Sequence, residues 1–175
     1  MKTNGGETVL SIDQVGCATA QRARFNMETL NKFSTKIFCE LVDKMQGKQH
    51  LKIFNEPFMP LTIERAGTVY WGHGEIISLC HYYKQNGDLM QDPEMCFIMI
   101  DKRESDKKDF EKVMLIPYLY QQANMGIYEE SLTFKNEIVK EYDVYLQQQH
   151  ADFANQWLQS IVQQGFLKSG DIQKL

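Results

Sequence analysis

Between His81 and Met95 the chain reads His-Tyr-Tyr-Lys-Gln-Asn-Gly-Asp-Leu-Met-Gln-Asp-Pro-Glu-Met, a stretch that gathers three carboxylates, a histidine and two tyrosines between two apolar runs. Asp88, Asp92 and Glu94 could converge on Mg²⁺ or Ca²⁺, because hard cations take carboxylate oxygens, and His81 or His73 could add a nitrogen for a softer metal. The spacing is not that of a calcium loop, which places oxygen ligands at alternate positions over about twelve residues. No Glu-x-Lys strand ending sets a lysine beside the acids, as a two-carboxylate nuclease would need. Ser78, His81 and Asp88 have the residue types of a triad, but no Gly-x-Ser-x-Gly elbow presents the serine. Phosphate-cradling glycine loops, dinucleotide fingerprints and kinase signatures are absent. No catalytic residue and no cofactor is therefore assigned. The plainer role for Asp88 and Asp92 is to accept hydrogen bonds from nearby backbone N–H groups and hold the turns.

Binding is easier to derive from these residues. Tyr82, Tyr83, Tyr118, Tyr120 and Tyr128, with Gln121 and Gln122, cluster near the strand ends if their strands are neighbours. Tyrosine offers a large contact area with a polar tip and is enriched at interfaces. Tyr82, Tyr83, Asn86, Asp88, Asp92, Glu94, Tyr118, Gln121 and Gln122 form the expected binding set, with ordinary packing at a sheet rim as the competing explanation. The metal set His81, Asp88, Asp92 and Glu94 is the alternative.

The elements that must hold these residues follow from periodicity. Asn86-Gly87 is a hairpin cue, since both residues tolerate positive φ. The loop to Met95 is longer than a minimal hairpin, and Asp92-Pro93-Glu94 reads as a second turn. Strands are expected at 51–54, 61–64, 68–71 and 75–83, and near 127–134. The apolar run 95–100 reads as a central strand covered on both faces. Another strand is expected at 113–120, where Pro117 marks an edge or a bulge. Met27, Leu30, Phe33, Ile37, Leu41 and Met45 recur at helical steps, giving a helix capped by Asn26 and stopped near Gly47. A long closing helix is expected from about Asn136 to Gln164, with its stripe on Ile138, Tyr142, Leu146, Phe153, Trp157 and Ile161. Gly165 supplies a left-handed stop for it, and Phe166 folds back onto the last turn. Gln147, Gln148, Gln149, Gln159 and Gln163 read as its solvated face. The charges of 101–112 cancel, so that segment reads as a solvated loop rather than a nucleic-acid patch. The expected fold is α+β: an antiparallel sheet of about five strands, a helix in the N-terminal half and a long C-terminal helix. Residues 1–25 form a weakly structured segment, and 26–175 a single domain.

Composition narrows the function classes. The 175 residues carry a formal net charge of −4, which argues against sequence-independent DNA binding, since that requires clustered Lys and Arg. No apolar run approaches the roughly 18 residues of a membrane helix, and the first residues lack the apolar block of a secretory signal. The expectation is a cytoplasmic protein without a membrane role. Cys17, Cys39, Cys80 and Cys96 are widely spaced, and buried reduced thiols are expected rather than zinc ligands or disulfides. Nothing in the residues sets an oligomeric state.

The motif from His81 to Met95 resembles the signature of a small domain family of unknown function found on phages, plasmids and other mobile elements. Pro60-Leu61-Thr62-Ile63-Glu64, the Tyr118–Tyr128 region with its Gln-Gln pair, and Phe153-Ala154-Asn155-Gln156-Trp157 through Gly165-Phe166 support it. The resemblance covers roughly residues 57–166 and leaves the N-terminal helix outside. It transfers no catalytic residue and implies an accessory gene of a mobile element. The resulting expectation is a non-enzymatic protein that binds and inhibits a nucleic-acid-handling machine, in its most specific form an anti-CRISPR-like inhibitor of a host nuclease. Its partner would be a protein or protein–nucleic-acid complex such as a CRISPR effector nuclease. The alternative is a metal-dependent enzyme or nucleotide-binding domain using the His81–Glu94 acidic loop.

Overall fold

The computed structural model describes residues 27–70 and 73–174. In chain order they form α1 (Lys32–Asp43), β1 (His50–Asn55), β2 (Phe58–Val69), β3 (Gly74–Gln85), β4 (Asp88–Asp101), β5 (Val113–Gln122), β6 (Ile127–Glu130), β7 (Leu132–Lys135), β8 (Ile138–Tyr142), α2 (Val144–Gln163) and β9 (Ile172–Lys174). Seven strands make one antiparallel sheet in the order β6-β5-β4-β3-β2-β1-β9, and β7 and β8 form a separate hairpin. The α+β class holds, but the sheet is wider than about five strands. The expected segment 61–64 and residues 68–69 of the next fall in one strand, β2, which ends at Val69, while Trp71 lies outside the described residues; β6 and β9 add short edges. The segment expected at 1–25 and the proposed cap Asn26 lie outside the described residues, as does Cys17.

Strand alternation sends successive side chains to opposite faces and so builds two cores. On one face Leu51, Ile53, Leu61, Ile63, Ile77, Leu79, Met95, Phe97 and Leu115 pack under both helices, against Phe38, Leu41, Trp157, Leu158 and Ile161. Phe38 meets Phe97 edge-on with ring centroids 4.7 Å apart. On the other face Cys96, Ile98, Ile100 and Ile116 pack with Leu132 and Val139 of the β7–β8 hairpin. The double-sided run 95–100 is therefore covered on both faces, as a run without alternation requires.

Both helices are shorter than their apolar spacing suggests, and each begins where a side chain caps it. Asn31 Oδ1 accepts from the Ser34 N–H at 2.9 Å, and Asp143 Oδ1 from the Leu146 N–H at 2.9 Å. Residues 27–30 run instead along β5, where the Leu30 N–H donates to the Leu115 carbonyl at 3.0 Å. Ile138–Tyr142, expected inside the closing helix, is a strand paired with β7. Tyr142 therefore lies outside α2 along with Ile138, and Phe153 is 37% exposed. Pro117 sits at a bulge in β5, beyond the Leu119–Gln122 stretch that pairs with β6.

One sequence expectation about polar residues is overturned. Gln147 is fully buried: its Oε1 accepts from the Glu28 N–H at 2.8 Å, and its Nε2 donates to the carbonyls of Glu28 and Pro117 at 2.9 and 3.2 Å. Segment 101–112 is a largely exposed loop, as expected, anchored by Arg103, whose side chain is 2% exposed and donates to Asp101 and to the Lys107 carbonyl.

The helix stop at Gly165 is as expected. Its φ is +88°, its N–H donates to the Val162 carbonyl, and Phe166 turns back fully buried. A Cβ there would lie 3.0 Å from Asn55 Nδ2, an atom that donates to the Gln164 carbonyl. Gly165→Ala is therefore expected to cost about 1–2 kcal/mol from the left-handed backbone alone. The shift of the urea midpoint measures it.

Candidate functional site

The hairpin joining β3 and β4 is tighter than expected. Gln85 pairs with Asp88, leaving Asn86 and Gly87 as the turn, with φ of +55° and +97°. This is the doubly positive geometry that Asn-Gly favours. No second turn follows. Asp92, Pro93 and Glu94 lie within β4, where two residues, Asp92 and Pro93, stand opposite His81 alone between the pairs Tyr82–Gln91 and Cys80–Glu94. The bulge shifts the phase of alternation by one residue.

That shift separates the acids. Glu94 lies with Cys80 on the face away from the helices and accepts from Ser78 Oγ at 2.6 Å. Asp92 lies on the helix side, where Gln122 Nε2 donates to it at 2.8 Å. Gln122 in turn accepts from the Tyr120 hydroxyl at 2.6 Å. His81 is a core histidine: it is 5% exposed, has Nδ1 3.1 Å from the Pro60 carbonyl, and its ring packs against Trp157 and Phe166. Burial lowers its pKa. Asp88 is exposed beside the turn. Among the described residues, no three or more His, Cys, Asp or Glu side chains come together as a metal site. The set His81, Asp88, Asp92 and Glu94 is thus distributed over two faces and a hairpin tip. Cys39, Cys80 and Cys96 are buried and free. Burial pushes the thiols of Cys39 and Cys96 up to about 12 and that of Cys80 higher still, so none is a ready nucleophile.

The tyrosine and glutamine residues divide in the same way. Cross-strand pairs place Cys80, Glu94, Gln121 and Tyr128 in one row, and Ser78, Cys96, Leu119 and Glu130 in the next. Tyr118 joins this face and is buried, and the half-buried Tyr82 lies beside Cys80. Tyr128 is 60% exposed and donates to Glu130 at 2.6 Å, which raises its hydroxyl pKa to about 12. Tyr120 and Gln122 belong to the helix side. Tyr83 bonds Gln85 within its own strand at 3.1 Å, and Asn86 is at the exposed tip. The expected contact set is therefore two surfaces, back to back.

On the helix side a cavity of about 220 Å³ is lined by Tyr120, Glu129, Gln149, His150 and Phe153. Residues 129, 149, 150 and 153 were not singled out as a site in the sequence. The available signal was that His150 falls between the buried Gln147 and Ala154 on the inner side of α2, so a polar side chain interrupts an apolar stripe. The larger cavity, about 590 Å³, lies where Lys102, Glu104, Glu111 and Lys112 meet Thr29, Ile100, Val113 and Met114. Its two lysines and two glutamates balance, and Lys32 engages Glu111 at 2.5 Å.

Ser131, His150 and Glu129 are neighbours with the residue types of a triad. Ser131 is 2% exposed, however, and its hydroxyl donates to the Tyr118 carbonyl at 3.1 Å. A nucleophile must reach its substrate, and this hydroxyl is a structural bond.

Fold and site together define an α+β protein with an open antiparallel sheet whose polar end bears acids and tyrosines on both faces. The chain belongs to the family described as a domain of unknown function (DUF6908), which matches residues 36–167. The match begins inside α1 and takes in most of that helix, which the resemblance had left outside. No curated protein and no solved structure is significantly similar to the chain. Among the described residues, no helix is long and apolar enough to cross a membrane.

Proposed function

We propose that this protein is a non-enzymatic accessory protein of a mobile element, which binds and inhibits a nucleic-acid-handling machine such as a CRISPR effector nuclease. The observation that carries the reading is the state of the polar residues around the β3–β4 hairpin. Glu94 and Asp92 are held by Ser78, Gln122 and Asn124 on opposite faces, while Tyr128, Glu129 and Glu130 stand exposed on an edge strand. Carboxylates held by neutral donors at the open end of a sheet suit recognition of a basic surface. An edge strand with exposed tyrosine and carboxylates offers both contact area and complementary charge to the basic channel in which such a machine holds nucleic acid.

The test is a cleavage assay with purified effector nucleases of the host, together with recovery of bound partners from nuclease-treated lysate. Stoichiometric inhibition is expected, and Glu130→Lys is expected to weaken it about tenfold, equivalent to about 1.4 kcal/mol, with an unchanged melting temperature. Turnover of nucleic acid or nucleotide by the protein alone would overturn the proposal. So would stoichiometric divalent-metal binding that Asp92→Ala abolishes in a folded protein.

A further inference from the structure

The cavity beside α2 holds a buried imidazole with an unsatisfied nitrogen. His150 is 3% exposed, and its Nδ1 lies 3.0 Å from Ser131 Oγ. That hydroxyl gives its one hydrogen to the Tyr118 carbonyl, so Nδ1 carries the ring proton and donates to Oγ. A neutral imidazole then has a bare lone pair on Nε2. Nε2 is buried and has no hydrogen-bond partner among the described residues. Glu129 Oε2 lies 3.9 Å from it, both residues line the cavity, and the Glu129 side chain is 48% exposed. Two acceptors therefore face one small space with no donor between them, an arrangement that costs free energy until a donor arrives.

The rest of the lining indicates which donor suits the space. Tyr120 and Phe153 form an aromatic corner, with ring centroids 5.0 Å apart and an interplanar angle of 72°. Aromatic faces attract cations. Gln149 adds an amide, and the five lining residues include no lysine or arginine. At about 220 Å³ the cavity is below the roughly 300–1,000 Å³ of sites that enclose drug-sized ligands, and it suits one side-chain head group. The bond chain Asp92–Gln122–Tyr120 fixes the tyrosine at this corner, so Asp92 is a positioning residue for the cavity.

We propose that this cavity is a binding site for an alkylammonium or alkylguanidinium group, of the kind a lysine or arginine side chain of a protein partner presents, with N–H donors directed at His150 Nε2 and Glu129 and the cation against Tyr120 and Phe153. The site stands on this geometry and does not depend on which machine the protein engages.

The test uses the full chain, labelled with ¹⁵N at histidine, at pH 7. Ring-nitrogen shifts of His150 are expected to report a protonated Nδ1 and a bare Nε2 in the free protein. Titration with n-butylammonium and n-butylguanidinium should move the Nε2 signal saturably, whereas the neutral n-butyramide should not. Glu129→Gln and Phe153→Leu alter exposed side chains and should leave the fold intact while weakening binding about tenfold, or about 1.4 kcal/mol. Three results would overturn the proposal: an Nε2–H already bonded to Glu129 in the free protein, equal response to the neutral amide, or affinity unchanged in both variants. None of the three bears on nuclease inhibition, so failure here and failure of the proposed function are separate outcomes.

Discussion

Gln147→Leu is expected to destabilise the protein by about 2–4 kcal/mol, because it leaves one N–H and two carbonyls without their partner. Leucine fills nearly the same space, so packing changes little and the loss is that of the hydrogen bonds. The amide binds Glu28 through both its N–H and its carbonyl and reaches Pro117 on β5. One side chain of α2 thereby ties the approach to α1 onto the sheet at a sequence separation of 119 residues. The figure stays below the sum of three full penalties because Glu28 is exposed and water can reach part of its backbone. Urea unfolding gives the total. Hydrogen exchange at the Glu28 amide localises it, with protection expected to fall there more than at Leu30, which keeps its own bond to Leu115. A cost under about 1 kcal/mol would show that the backbone ladder alone holds this segment.

The second large effect is a loss of stability on acidification. Burial lowers the His150 pKa from its ordinary 6.5 to about 4, against the opposing pulls of the Tyr118 carbonyl and Asp143. The folded protein therefore keeps the ring neutral where the unfolded chain has already taken up a proton. The contribution is fully present above pH 6.5, falls as pH drops toward 4, and levels off below that. Its size is up to about 3 kcal/mol. His81, also lowered by burial, acts in the same sense. Comparing urea midpoints at pH 7, 5.5 and 4 for wild type and His150→Gln isolates the term, and the variant is expected to give the flatter profile. Equal slopes would mean that His150 protonates without cost in the fold, most simply by pairing with Glu129 at 3.9 Å.

How much of this the residues foretold depends on whether a signal is local. Asn86-Gly87 announces its own turn, and Gly165-Phe166 its own helix stop, because the backbone preference resides in those residues. The apolar run 95–100 likewise declares a strand with two covered faces. Helix boundaries were less legible. Met27 and Leu30 fit the helical spacing, yet their backbone is drawn along β5, and Ile138–Tyr142 carries helix-compatible spacing while pairing with β7. In both cases a strand partner distant in sequence settles the conformation. The site suffered most, since Asp92 and Glu94 are two residues apart and ordinary alternation would place them together. The residue that separates them is visible only in the register against β3. Gln147 reads as solvated surface for a related reason: its burial comes from partners that composition does not reveal.

The bulge at Asp92–Pro93 also bears on how this sequence can change. A one-residue deletion there would restore plain alternation while leaving Gln91 opposite Tyr82 and Glu94 opposite Cys80, so the hairpin tip would keep its sides. What changes is the slot opposite His81, where one residue would stand in place of two. Length at the bulge is therefore free to vary by one residue, whereas the Asn86-Gly87 turn must stay two residues long to keep Gln85 opposite Asp88. The surviving variants of such a protein should differ in the length of the bulge and agree in the count of the turn.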